Sequence, residues 1–317
     1  MGSNVNGPGS EPRDELRRGM VYGLLAYGWW GTMPIYFRAL EPAGPLEILA
    51  HRILWSSIFC LIFLAWRRDF AWVKRFLATP GKVVTIVIAA HLLAANWGSY
   101  IYAVSTGNVL EASLGYFINP LMTVLVGVMV LGERLTPLQW MSITLGAIAV
   151  LVITIDYGNL PWISLTLAAT FTIYGFIKKT VRAGINPMQT MTIESVVLLP
   201  FAALVLVWLR SSSTELTFLN QGWQHSVLLM VIGIVSLAPL IWFGASAERL
   251  PLTTLGLLQF LSPIGQFVIG VFVFREDVSN ARWIGFGLVW VALVILTLDS
   301  LRSARRRRRI TRARTAG

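Results

Sequence analysis

The sequence predicts an all-α, polytopic membrane protein with ten transmembrane helices, arranged as two inverted five-helix repeats. Hydrophobic residues make up 56% of the 317 residues and charged residues only 13%, against about 25% charged residues in typical soluble domains. The apolar residues form continuous runs long enough to cross roughly 30 Å of hydrocarbon. Two parts of the chain also repeat each other at a constant offset. The first two observations indicate a membrane protein, and the third indicates its internal symmetry.

Ten apolar segments reach or approach the length of a membrane span. Backbone polar groups in lipid must form hydrogen bonds within their own segment, so we expect each segment to be a helix. The predicted spans are residues 19–37, 46–66, 83–104, 109–131, 138–155, 160–177, 188–208, 223–245, 252–274 and 283–298. The residues before the first span are polar, and we expect them to form a disordered cytoplasmic leader.

The repeat is a set of seven identities with one spacing. The residues Pro120, Gly127, Glu133, Trp140, Ala149, Thr154 and Asp156 recur 143 positions later as Pro263, Gly270, Glu276, Trp283, Ala292, Thr297 and Asp299. They divide the chain into a leader (1–18), a first half (19–157), a second half (158–299) and a basic tail (300–317). Each half contains five predicted spans. An odd number of spans places the second copy upside down relative to the first, as in many transporters.

The distribution of positive charge predicts the orientation. With ten spans, 21 of the 26 Lys and Arg residues fall on the side that holds both termini. The positive-inside rule therefore places both termini in the cytoplasm. We interpret the arginine run at 305–309 as an orientation anchor; binding to anionic lipid or nucleic acid is the alternative. No nucleic-acid motif accompanies that run, so the expected surroundings are the lipid bilayer, with no nucleic-acid partner.

Ionisable side chains within the spans are candidate functional residues, because they are costly in lipid and usually face a cavity or a partner. Arg52 lies in the second predicted span and Glu194 in the seventh. Either both line a central cavity, or Arg52 snorkels to the interface and the two residues serve structural ion pairs. The sequence leaves both interpretations open.

Polar stripes point to a site near the midplane. Asn96 and Tyr100 are four residues apart and share a helix face. Glu111 and Asn119 lie on one stripe that ends beside Pro120, and Gln259 precedes Pro263 in the corresponding span of the second half. Proline-interrupted helices in matching positions of two halves are typical of transporter sites. The alternative is that the amides join helices to each other.

Aromatic and enzymatic features complete the prediction. Trp30 and Trp97 lie away from span ends and could line a cavity. Metal-ligand spacings, nucleophile elbows and phosphate loops do not occur in the sequence. We therefore expect no enzyme, no metal site and no cofactor. The sequence gives no indication of an oligomeric state.

The chain resembles the RarD family of EamA-type transporters, within the drug/metabolite transporter superfamily. The most specific match is the stretch 110–121, Leu-Glu-Ala-Ser-Leu-Gly-Tyr-Phe-Ile-Asn-Pro-Leu. Further matches are Ala26-Tyr27, Trp30-Gly31, Pro34, Tyr36-Phe37, residues 47–52, Trp55-Ser56, Asn96-Trp97, residues 131–134, Tyr174-Gly175, Glu194, Leu199-Pro200, Pro239-Leu240, Leu255-Gly256 and Gln259-Phe260. The resemblance implies ten helices, an inner-membrane location and a name linked to chloramphenicol sensitivity. Relatives in the superfamily export amino acids and other small metabolites.

The resulting hypothesis is a secondary-active or facilitative permease that exports a small, amino-acid-like or drug-like metabolite by alternating access. Arg52 would hold an anionic group of the small-molecule substrate, with Glu194 or Glu111 as proton carrier if transport is proton-coupled. The remaining site residues fall into three groups: polar contacts from Asn96, Tyr100, Asn119 and Gln259, aromatic walls from Trp30, Tyr116 and Tyr174, and hinges at Pro120 and Pro263. The alternatives are a lipid or drug flippase on the same scaffold and a non-transporting membrane sensor.

Overall fold

The protein is helical throughout the regular structure that the computed structural model describes, which covers residues 11–68, 70–131, 135–180, 187–212 and 216–315. Twelve helices occur in these ranges. They are α1 (Glu11–Arg38), α2 (Pro45–Arg67), α3 (Ala71–Leu77), α4 (Pro80–Ser105), α5 (Val109–Leu131), α6 (Pro137–Tyr157), α7 (Trp162–Thr180), α8 (Pro187–Ser211), α9 (Trp223–Ala247), α10 (Leu252–Leu258), α11 (Leu261–Val268) and α12 (Asn280–Thr315). A π-helical turn, Ile269–Val273, extends α11. Glu133, which lies in the sequence repeat, is outside the described residues.

Seven of the described helical segments are long and apolar enough to cross a membrane, and the bent helix α8 makes an eighth. The predicted spans 19–37 and 160–177 coincide with α1 and α7, which do not meet the same criterion. The chain is therefore an all-helical membrane protein with seven to eight candidate spans. The full set of ten stays a prediction.

Helix starts follow local sequence signals. Pro45, Pro80 and Pro137 stand in the first turns of α2, α4 and α6, where the missing N–H costs no intrahelical bond. The start of α6 also has a capping box, in which the Thr136 hydroxyl accepts the Gln139 N–H and the Gln139 side chain accepts the Thr136 N–H. These signals fix where the helices begin independently of tertiary packing.

The prolines inside the helices have unequal effects. α5 continues through Pro120, whereas the matching part of the second half is divided into α10 and α11 just before Pro263. A third proline, Pro200, lies in α8, whose two parts, Met188–Val197 and Leu199–Ser211, meet at an angle of 42°. Proline removes one helical hydrogen bond and crowds the preceding turn, which explains a bend one turn earlier. The hinge role of Pro120 and Pro263 stays a prediction.

The most extensive helix contacts join the first half to the second half. α1 packs on α9 and α11, α7 packs on α4 and α5, α2 packs on α8 and α9, and α6 packs on α12. Glycines permit several of these approaches. A Cβ atom on Gly233 of α9 would lie 2.6 Å from the carbonyl carbon of Trp55 in α2, and one on Gly115 of α5 would lie 2.8 Å from the carbonyl oxygen of Ser164 in α7. The two halves therefore interlock rather than standing side by side.

Candidate functional site

Arg52 is a half-buried cation between the helices. Its guanidinium carbon lies 4.0 Å from the ring centre of Trp97 and 5.8 Å from that of Phe37. Among the described residues, Nε of Arg52 is buried without a hydrogen-bond partner and the side chain forms no salt bridge. Cation–π contacts hold the charged group in place without neutralising it. Arg52 thus forms no ion pair among the described residues, and the choice between a cavity-lining and a snorkelling side chain stays a prediction.

A line of aromatic rings leads away from Arg52. We call this set the aromatic line; its members are Phe37, Tyr100, Tyr116, Phe171 and Tyr174. Successive ring centres are 5.7, 5.8, 6.2 and 6.2 Å apart. These separations lie within the range of favourable aromatic pairs. Helices α1, α4, α5 and α7 thus contribute to one continuous feature.

Glu194 lies at the far end of the aromatic line. Its carboxylate is buried, and both of its oxygens are 3.3 Å from the Tyr174 hydroxyl. The line therefore connects a cation in α2 with a carboxylate in α8. Arg52 and Glu194, which the sequence marks as candidate cavity residues, thus belong to the same assembly.

Asn96 connects three helices next to the aromatic line. It is buried on α4, accepts a hydrogen bond from the Tyr116 hydroxyl at 3.2 Å, and donates to the Leu167 carbonyl and the Thr170 hydroxyl, each at 3.1 Å. One turn further along α4, the Tyr100 hydroxyl is buried with no hydrogen-bond partner among the described residues. The shared face predicted for Asn96 and Tyr100 thus points into this assembly.

Trp30 and Asn119 border the assembly. Trp30 packs against the apolar cluster that contains Phe37 and Tyr100, and its backbone carbonyl accepts a bond from the Gln266 amide at 3.4 Å. Asn119 is half-buried, and its side-chain oxygen accepts the Thr172 hydroxyl at 2.7 Å. Both residues have side-chain or backbone hydrogen-bond partners within the protein. They therefore form the border of the assembly and present few unpaired polar groups to it.

Glu111 and Gln259 lie apart from the aromatic line. The Glu111 carboxylate accepts the Ile163 N–H at 3.0 Å and the Ser164 N–H at 3.5 Å, while the Ser164 hydroxyl donates to the Glu111 carbonyl at 2.6 Å. Glu111 therefore caps the first turn of α7. Gln259 is exposed at the junction between α10 and α11.

We expect Glu111→Ala to lower the free energy of unfolding by about 1–2 kcal/mol, because it leaves the first N–H groups of α7 without their acceptor. Thermal unfolding in detergent measures this change. Glu248→Ala is the control, since the Glu248 side chain is 79% exposed and forms an ion pair with Arg249 alone among the described residues. Wild-type stability combined with impaired flux would instead assign Glu111 to the substrate or to a proton.

Two members of the aromatic line were not predicted from the sequence. Phe37 and Phe171 connect the tyrosines to each other and to Arg52. Phe37 gave a weak signal, as part of the resemblance motif. Phe171 stands three residues before Tyr174, on the same helix face, but membrane helices contain many aromatic residues and this spacing alone does not select it.

Comparisons with known proteins agree with this membrane architecture. The sequence profile of the EamA-like transporter family matches residues 17–155. Protein RarD of Streptomyces exfoliatus is 47% identical over 93% of this chain and 93% of its own length. The chain belongs to the RarD family of EamA-type transporters. An uncharacterized transporter of Pseudomonas aeruginosa, PA0485, is 39% identical over 92% of this chain and 97% of its own.

A solved structure shows the same fold. One crystal structure superposes with a TM-score of 0.56 at 19% identity, covering 88% of this chain and 97% of that chain. At this identity the likeness concerns the fold alone. The transporter role is supported by the family profile and by the RarD-family relatives.

Proposed function

We propose that this RarD-family transporter moves a small metabolite that carries a carboxylate or a similar anionic group. The observation that supports this is Arg52, a cation within the candidate membrane span Pro45–Arg67 that has no carboxylate partner among the described residues. A charge in such a place is costly unless something compensates it. An incoming anion would provide that compensation and would complete the hydrogen bonds of the guanidinium group.

The neighbouring residues supply further contacts for such a solute. The Tyr100 hydroxyl has no partner among the described residues and is available to donate to the solute. Tyr116, Tyr174 and Trp30 would form its aromatic walls, with Asn96 and Asn119 as polar contacts. Gln259 lies apart from these residues, and its predicted role stays a prediction. In a proton-coupled cycle, Glu194 or Glu111 would be the proton carrier.

Transport would proceed by alternating access between two inverted repeats of five spans. The packing pattern supports this arrangement: α1 with α9 corresponds to α7 with α4, and α5 with α7 corresponds to α11 with α1. α6 with α12 and α2 with α8 are contacts between equivalent helices. The set of contacts is unchanged when the two halves are interchanged, as expected for two repeats related by a pseudo-two-fold axis. We place the protein in a bacterial inner membrane, with both termini on the cytoplasmic side. We expect the solute to be exported.

Counterflow in proteoliposomes tests this function. Vesicles are loaded with one member of a panel of carboxylates, amino acids included, or with the matching primary amide, and uptake of the labelled solute is followed. We expect at least one carboxylate to exchange, and its amide to exchange about 10-fold less or more weakly still, since a charge-assisted contact is lost. Protein-free vesicles are the control. Exchange of uncharged or lipid-like solutes alone would favour a flippase, and no exchange with any solute would overturn the proposal.

A further inference from the structure

Three glutamates at one end of the helix bundle join the two halves through backbone groups. They lie where α1 ends and α2, α5 and α7 begin. Glu47, Glu111 and Glu276 each accept N–H groups from the other half. The donors are Thr217 and Phe218 for Glu47, Ile163 for Glu111, and Val109 and Leu110 for Glu276, at 2.7–3.0 Å.

Glu276 differs from the other two glutamates because it follows a π-helical turn and a residue in the left-handed backbone conformation. The π-helical turn ends with the Phe274 N–H bonded to the Ile269 carbonyl at 2.9 Å, and the Glu276 N–H bonds the Gly270 carbonyl at 3.0 Å. Between them, Arg275 adopts a φ of 55°. This left-handed conformation is costly for a residue other than glycine. The local backbone is thus strained in the conformation that directs Glu276 onto the first turn of α5.

The contact between Glu276 and α5 is strong but reversible. A carboxylate at a helix N-terminus gains from charge-assisted bonds and from the helix dipole. Burial nevertheless raises the pKa of the Glu276 carboxyl, because lost hydration outweighs the bonds to Leu110 and Val109 and the nearby Arg282 and Arg38 side chains. The ionised group is therefore held at a cost. Separation of the halves would return both the carboxylate and the α5 donors to water.

We propose that Glu276 is a positioning residue of the transport cycle, a latch that closes this end of the bundle and must release before the site opens there. The inference rests on the proposed function. α5 carries Tyr116 and Asn119, so movement of its first turn away from the second half would open the aromatic line toward this end. Ser113, one turn below the latch, is buried with its hydroxyl bonded to the Pro263 carbonyl at 2.9 Å, and marks the interface that would separate.

Side-specific cysteine labelling tests the latch. The sequence contains a single cysteine, Cys60, so a Cys60→Ala, Ser113→Cys chain carries one reporter at the α5–α11 interface. A membrane-impermeant maleimide is applied separately to right-side-out and inside-out vesicles. We expect Glu276→Ala to increase the labelling rate roughly 10-fold from one side only, because two charge-assisted bonds are lost. Glu276→Gln retains one acceptor oxygen and should give a smaller increase.

Asp277→Asn is the matched control. The Asp277 side chain is exposed and lies next to Glu276 in the sequence, so this substitution removes one negative charge without removing a latch contact. The labelling rate should stay unchanged. An unchanged rate in Glu276→Ala, or equal increases from both sides, would overturn the latch, since general loosening exposes the reporter in both directions. The assay requires no solute. If the protein transports solute in counterflow but Glu276→Ala does not change the labelling rate, the latch alone is rejected. If Glu276→Ala changes the labelling rate but the protein transports no solute, the proposed function is rejected.

Discussion

Replacing Arg52 by alanine is expected to weaken the binding of an anionic solute by roughly 10- to 100-fold, the usual loss for a hydrogen bond to a charged group at a desolvated site. Arg52→Lys should fall in between, because lysine keeps the charge but lacks the planar fork that stacks on Trp97 and grips a carboxylate in two places. Equilibrium binding to purified protein, followed by counterflow with the same solute, measures both effects.

Protein stability provides the independent readout for Arg52. The guanidinium is held by aromatic rings and lacks a carboxylate partner among the described residues, so Arg52→Ala removes an uncompensated buried charge. We expect the thermal midpoint to stay unchanged or to rise while affinity falls, as at other sites that sacrifice stability for function. Arg249→Ala, which removes a partly exposed arginine paired with Glu15, is the control for loss of charge. Unaltered affinity in Arg52→Ala would remove this residue from the site.

Gly233→Ala should produce the largest loss of stability. The added Cβ would lie 2.6 Å from the carbonyl carbon of Trp55 and 2.8 Å from the amide nitrogen of Ser56, which are backbone atoms that cannot rotate away. Overpacking of this kind costs about 1–3 kcal/mol or more. Since α2 also carries Arg52, one turn before Ser56, displacing α2 should reduce flux as well. Thermal unfolding in detergent and counterflow measure the two consequences.

Gly244→Ala on the same helix is the matched control. Apart from its chain neighbours and the nearby backbone of its own helix, no described atom lies within 4 Å of its expected Cβ position. The substitution should therefore stabilise α9 by about 0.5–1 kcal/mol, as alanine commonly does in helix interiors. If Gly233→Ala lowers the stability and Gly244→Ala raises it, the opposite effects of the same substitution are due to the contact between Gly233 and α2. Equal stability of the two variants would mean that α2 and α9 do not meet at Gly233.

The sequence predicted the polar part of the candidate site because the physics there is local. Charges at membrane depth are rare enough to identify Arg52 and Glu194 singly, and helical periodicity places Asn96 beside Tyr100. The structure unites these four with Tyr116 and Tyr174. Hydropathy was equally informative about helix positions, since every predicted span coincides with a helix, one of them broken into α10 and α11.

The remaining features depend on contacts between distant parts of the chain. The acceptor role of Glu111 requires α7 to begin beside it, which no spacing within α5 reveals. Likewise, Pro120 and Pro263 are equivalent in sequence, yet the break occurs in the second half alone. Phe171 became identifiable only when Tyr116 was placed opposite it. Interhelical packing decides the first and the third of these features.

The interlocking of the two halves has a consequence for how the protein is made. α1 precedes the other described helices in the chain, yet its principal partners, α9 and α11, are synthesised late, before α12. The Ser246 hydroxyl donates a hydrogen bond to the Gly19 carbonyl across 227 positions of sequence. Until then α1 lacks these partners. Contacts of such long range slow folding, and neither half has the partners that it would need to fold alone. The contacts of α1 with α9 and α11 can therefore form only after most of this sequence has been synthesised.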